Sequence, residues 1–93
     1  MILGFRDKET LKIWNGKRSK RLPFEVQKIS LRKLLLIDTA ESVDDLLIPP
    51  GNQLEKLTGD RAGQWSIRIN KQWRICFKWV DGNAMDVEIT DYH

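Results

Sequence analysis

Trp65-Ser66-Ile67-Arg68-Ile69-Asn70-Lys71-Gln72-Trp73-Arg74-Ile75-Cys76-Phe77-Lys78-Trp79 is the stretch that decides the fold. Trp65, Ile67 and Ile69 alternate with Ser66, Arg68 and Asn70. After a short break, Trp73, Ile75, Phe77 and Trp79 alternate with Arg74, Cys76 and Lys78. A period of two is that of a strand with one buried face. A slip of a single residue would turn the apolar set to water, so the hairpin must pair odd with odd. That predicts Ile69 opposite Trp73 and Arg68 opposite Arg74, around a three-residue loop at 70–72. Downstream, Met85, Val87 and Ile89 alternate with Asp86, Glu88 and Thr90, and Asp81-Gly82-Asn83 supplies the turn before them. Three antiparallel strands with their odd-numbered side chains on one face are expected.

Upstream the period becomes helical. Ile2, Leu3 and Phe5 read as a short first strand. Asp7 suits the N-cap of a short helix carrying Leu11 and Trp14 on one side and closed by Asn15-Gly16. Lys17 to Arg21 forms a basic linker. Pro23 fits the first turn of a second helix reaching about Thr39, with Val26, Ile29 and Leu34 to Ile37 apolar and Lys28, Arg32 and Lys33 on a wet face. Ser42 to Leu47 reads as one further helical turn, stopped by Pro49-Pro50-Gly51. The expected fold is α+β: an N-terminal strand and two to three helices packed on one face of a mainly antiparallel twisted sheet.

Ninety-three residues with 41% hydrophobic content and four tryptophans make one domain, 1–93, with one core. The single cysteine, Cys76, allows no internal disulfide, and no Cys/His spacing resembles a zinc site. Cys76 reads as a small strand residue. The apolar start, MILGF, is too short for a signal peptide or a membrane span, so a soluble, cytoplasmic protein with no membrane partner is expected.

The charges are segregated. Residues 6–33 hold ten Lys/Arg against three Asp/Glu, and residues 61–80 hold five against none. Residues 34–60 and 81–93 are acidic, so the net charge is only +3. Two basic blocks on a small domain suit a polyanionic partner, though ordinary solvated faces would look the same. If helices cover the odd face, the even face is open and carries Arg68, Arg74, Lys78, Glu88, Thr90 and Tyr92. Arg68 opposite Arg74 is an unfavourable pair unless an anion lies between them or Glu88 or Asp86 neutralises them. The chain closes on Asp91, Tyr92 and His93, the only histidine, whose ring the neighbouring α-carboxylate would help keep protonated. These read either as a solvated tail or as three proton-exchanging groups at a site.

The order Gly59-Asp60-Arg61-Ala62-Gly63, Trp65-Ser66-Ile67-Arg68, Gln72-Trp73-Arg74-Ile75-Cys76-Phe77 and the terminal Asp91-Tyr92-His93 resembles the HigB toxins of the RelE/ParE-like superfamily. The resemblance spans the whole chain, from the Ile2–Phe5 strand through Asp38-Thr39-Ala40. It implies a RelE-like fold and a toxin of a type II toxin–antitoxin system. The implied activity is a ribosome-dependent endoribonuclease, an mRNA interferase acting in the decoding site of the 70S ribosome. The implied partners are the ribosome, mRNA and a HigA-type helix-turn-helix antitoxin, with operator DNA reached only through that antitoxin. Carried over by position, Asp91, Tyr92, His93 and Arg74 bear the catalysis. The chain departs from the pattern at Glu55, where some members have a histidine, and at Thr58, where they have a lysine; Lys56 stands close by.

Cutting RNA without a metal or cofactor needs a base for the 2′-hydroxyl proton, cations for the phosphorane oxygens and an acid for the departing 5′-oxygen. His93 suits acid or base work near neutrality. Arg74, with Arg68 as helper, suits the cationic role because its fork matches two phosphate oxygens. Asp91, on the other parity of the strand, would orient His93 or merely cap the strand. Tyr92 would position a base or share protons, and Glu55 is an auxiliary base. Arg68, Lys56, Arg61 and Lys78 are candidates for holding the RNA. Two other functions share the fold: a ParE-like poison of DNA gyrase, and a weakly or non-catalytic RNA-binding relative acting with its antitoxin in regulation. Trp65, Trp73 and Trp79 share the apolar parity and read as core rather than as base-stacking platforms.

Overall fold

The computed structural model describes residues 1–91; Tyr92 and His93 lie outside the described residues. Two helices, α1 (Lys8–Trp14) and α2 (Phe24–Thr39), precede four strands: β1 (Glu55–Lys56), β2 (Gln64–Arg68), β3 (Trp73–Val80) and β4 (Asn83–Asp91). The strands form one antiparallel sheet in the order β1-β2-β3-β4. The first hairpin has the expected register, with Arg68 opposite Arg74 and the Ile69 N–H donating to the Trp73 carbonyl at 2.9 Å. The second turns at Asp81-Gly82, both at positive φ, with Val80 opposite Asn83.

The expected parity fails at one point. Lys78 faces Met85 and Cys76 faces Glu88, so β4 spends one more residue than β3 across this interval. Asp86, at φ 52°, is in the left-handed region inside this bulge. Ala84, not Met85, therefore points into the core, and Met85 is exposed on the other face. The N-terminal strand joins as two isolated parallel bridges, Ile2 to Ala84 and Phe5 to Val87, one on each side of the bulge.

Helix α1 begins where Asp7 accepts the Thr10 N–H at 3.3 Å and ends at Asn15, followed by Gly16 at φ 77°. Its buried residues are Thr10 and Ile13, while Leu11, expected on the packing side, is exposed. Thr10 takes the inner position because its hydroxyl receives the Ile89 N–H at 2.9 Å, satisfying a buried strand donor. Helix α2 buries Val26, Ser30, Leu34 and Ile37 at helical spacing; Leu35, within the apolar run, faces outward. Between α2 and the sheet lies a 3₁₀ turn, Val43–Leu47, with its Ser42/Asp45 capping box. The prolines do not simply stop it: a second 3₁₀ turn, Pro50–Asn52, follows.

Val26, Leu34 and Ile37 of α2 pack with Ile67, Ile69, Ile75, Phe77, Val87 and Ile89 of the sheet. Trp65, Trp73 and Trp79 lie half-buried around that core, as the alternation predicted. The resulting α+β architecture sets both helices on the odd face. Among the described residues, no helix is long and apolar enough to cross a membrane.

Candidate active site

The even face of the sheet is not open. Ser66 and Cys76 are fully buried, and Gln64 and Arg74 nearly so. The cover is the segment from the second 3₁₀ turn to Arg61, which adds β1 beside β2 and pairs Leu57 N–H with the Gln64 carbonyl at 2.8 Å. Two residues of strand show no visible period, so this second layer was not legible in the sequence. It is a polar layer, viable only because its groups are paired.

Arg74 is its centre. The guanidinium Nε donates to Ser66 Oγ at 2.8 Å, and Nη2 donates to the Gln53 carbonyl at 2.6 Å and to the Ser66 carbonyl at 3.4 Å. The Glu55 carboxylate stands 3.8 Å from Nη2. Among the described residues, none accepts from Nη1. A buried fork held by three hydrogen bonds, with one edge left over, is suited to an incoming anion such as a phosphate. Glu55 itself is half exposed, at the mouth of this arrangement.

Gln53 adopts left-handed backbone, φ 44° and ψ 55°, to aim its carbonyl at Arg74. The preceding residue, Asn52, is fully buried; its Nδ2 donates to the Leu46 and Ile48 carbonyls at 3.2 and 3.4 Å. Its Oδ1 accepts from the Lys33 ammonium on α2. Burial, with Arg32 adjoining, holds that ammonium's pKa below the ordinary lysine value. Lys33, expected on a wet face, is thus a fastener for the loop that reaches Arg74.

The Arg68–Arg74 tension is resolved by geometry rather than by Glu88 or Asp86. Arg68 Nε donates to the Asn70 carbonyl of its own hairpin loop at 3.1 Å. Glu88 binds Arg61 at 2.8 Å and lies 4.0 Å from Arg6, while Asp86 pairs with Lys78 at 3.4 Å. Lys56 is opposite Trp65 and sets its ammonium 5.7 Å from that ring's centroid, on the other face from Glu55. Asp91 pairs with Trp73, on the face away from Arg74, and accepts from Gln72 Nε2 at 2.8 Å. Glu55 and Arg74 are therefore brought together, whereas Lys56 and Asp91 face the other way; Tyr92 and His93 lie outside the described residues. Burial pushes the Cys76 thiol pKa up, as for an inert core cysteine.

A family model for the RelE-like HigB toxin of type II toxin–antitoxin systems matches residues 3–93. The chain belongs to the HigB-like toxin family. Toxin HigB-1 of Vibrio cholerae serotype O1 is 42% identical over 87 residues, covering 92% of each chain. A protein of Proteus vulgaris named Endoribonuclease HigB is 39% identical over 64 residues, covering 66% of this chain and 65% of its own. Among solved structures, a YoeB-YefM complex from Staphylococcus aureus matches with a TM-score of 0.63 at 18% identity, covering all of this chain and 98% of the other. At that identity the likeness carries the fold alone, and the fold is the RelE-like one expected from the sequence.

Ser66 and Gln53 are the residues of the candidate site that sequence reasoning missed. Ser66 was visible on the even face beside Arg68, but a serine in a strand carries no signal of a guanidinium partner. Gln53 acts through its carbonyl, which no side-chain pattern reports.

Proposed function

We propose that this toxin is an endoribonuclease that cuts translated mRNA in the decoding site of the 70S ribosome, restrained by a HigA-type helix-turn-helix antitoxin. A protein acting there is cytoplasmic. The observation that carries the reading is the buried Arg74 fork, held by Ser66 and Gln53, with Glu55 3.8 Å from Nη2 and no acceptor for Nη1 among the described residues. Membership of a toxin–antitoxin family and the name of the Proteus vulgaris relative support it from outside the structure.

In this mechanism the 2′-hydroxyl oxygen attacks the adjacent phosphorus and the bond to the 5′-oxygen breaks. One group takes the hydroxyl proton and another supplies a proton to the departing oxygen. Arg74 neutralises charge on the non-bridging oxygens and is already desolvated, so it needs no reorganisation as charge develops. An arriving phosphate occupies the edge at Nη1 and leaves Glu55 as a nearby carboxylate able to take the 2′-proton. His93 serves as the complementary acid or base, Tyr92 positions the nucleotide and Asp91 orients the tail. Arg68, Arg61 and Lys78 contribute phosphate contacts on the Arg74 face, Lys56 stands too far round the sheet to join them, and the basic blocks at 6–33 and 61–80 contact ribosomal RNA.

The test uses purified 70S ribosomes programmed with a defined message and primer extension to map cuts. Discrete cuts within translated codons are expected from the wild type, and His93→Gln should lower the rate by roughly 10²–10⁴ fold. Unchanged cutting by that variant would remove His93 from the mechanism. Inhibition of gyrase supercoiling without RNA cleavage would replace the reading altogether.

A further inference from the structure

The linker between the helices is as tightly built as a catalytic loop, yet it takes no part in the Arg74 site. Lys17 N–H donates to the Lys12 carbonyl at 2.8 Å. Ser19 is buried, and a single side chain, Gln27 of α2, receives its N–H at 3.0 Å and donates to its carbonyl at 2.7 Å and to that of Leu22 at 2.8 Å. The Ser19 hydroxyl donates to Glu9 at 2.6 Å and accepts from the Arg21 N–H at 3.1 Å. That hydroxyl, then Lys12 and Arg21, hold the Glu9 carboxyl's pKa below its ordinary value, so the nearest acid already has its partners.

Ser19 thus pins the middle of the linker, and Lys17, Arg18, Lys20 and Arg21 all face water. Among the described residues, none of these four forms an ion pair within 4.0 Å. Arg18 lies over the ring of Phe24, 4.9 Å from its centroid, and that phenylalanine is 68% exposed. A solvated charge run needs no such anchoring, and the exposed Phe24 ring sits within the same basic surface. Cations carried on a pinned backbone, one of them over an exposed ring, match phosphates and unstacked bases. Because the loop is already ordered, docking costs little further entropy.

We propose that the Ser19-anchored loop, with Phe24, is a second RNA-binding surface that docks the toxin on ribosomal RNA. It belongs to the helical layer and so lies across the sheet from Arg74. The proposal rests on the ribosomal reading above and adds where the toxin grips RNA a second time.

The experiment compares wild type, the triple variant Arg18→Ala/Lys20→Ala/Arg21→Ala, Phe24→Ala and Gln27→Ala for binding to purified 70S ribosomes across a salt series. Message cleavage is measured in parallel, and thermal melts confirm folding. The triple variant should bind at least about tenfold more weakly, and its log affinity against log salt should flatten by about one unit for each phosphate it no longer neutralises. Its cleavage should show a raised KM with kcat little changed. Phe24→Ala should weaken binding with the salt slope unchanged, since it removes a stacking ring and no charge. Gln27→Ala, which keeps every cation but frees the loop, should do the same. Wild-type binding matched by the triple variant at every salt concentration overturns the proposal and leaves the ribosomal reading intact. Loss of antitoxin binding with ribosome binding unchanged overturns it in favour of a protein-docking surface. A wild type that binds no ribosome sinks both.

Discussion

The two faces of the sheet solve opposite problems with the same strands. On the odd face, Ile67, Ile75, Phe77 and Val87 bury hydrocarbon against the helices, where any well-shaped apolar side chain would serve. On the even face, Ser66, Arg74 and Cys76 are buried as deeply, but Arg74 has particular acceptors and no tolerance for others. The first face makes the protein fold, and the second, on the function proposed above, arranges a cation for a phosphate of the RNA. A buried charge is a poor way to gain stability, since desolvation offsets most of the attraction. The guanidinium is better explained by what it can do than by what it holds together.

That contrast makes graded predictions. Arg74→Ala should lower ribosome-dependent cleavage by roughly 10²–10³ fold, the usual loss when one preorganised donor to a developing charge is removed. Full cleavage by this variant would reduce the even face to scaffolding. Ile75→Ala, one strand position away on the other face, should cost about 2–5 kcal/mol of stability in denaturant melts, with per-molecule activity retained while the chain stays folded. A loss of activity in the folded fraction would blur the division between the faces. Ser66→Ala should come next, at about 1–3 kcal/mol, because it leaves a buried guanidinium N–H unpaired. It should also lower cleavage, and the loss should vanish when Arg74 is already alanine, which a purely structural role would not produce.

The smallest effect concerns pH. The Asp45 carboxylate accepts the Glu41 and Ser42 N–H groups at 2.9 and 3.2 Å, and these bonds hold its pKa below the ordinary value. A depressed carboxyl stabilises the fold above its unfolded pKa of about 3.9, and that contribution is lost as pH falls through the lower folded value. Asp45→Asn should therefore melt slightly lower near neutrality, with a difference that shrinks as acid is added. A gap that widens in acid would contradict the assigned capping role.

How much of this the sequence could disclose differs between the faces. The odd face was legible because hydrocarbon burial writes a period into the chain, and the first register followed from alternation plus turn length. Met85 misled because it alternates with Asp86 as well as any strand residue does; only the left-handed Asp86 shows that the phase has moved. Leu11 misled because hydrophobicity gives no credit to Thr10, whose hydroxyl was needed inside. On the even face, Arg74 and Glu55 could be named from resemblance. Their meeting depends on β1, on the backbone of Gln53 and on the Asn52–Lys33 fastening, which are long-range facts with no local signature.

The kink in the last strand has one more implication. The N-terminal segment meets β4 at Ile2 and Phe5, and β4 answers at Ala84 and Val87, so both advance by three residues between bridges. Two ribbons that skip a beat together stay in phase, and neither can lose its extra residue alone. Deleting one residue from either would turn everything beyond the cut to the wrong side, so insertions and deletions here should survive only in matched pairs.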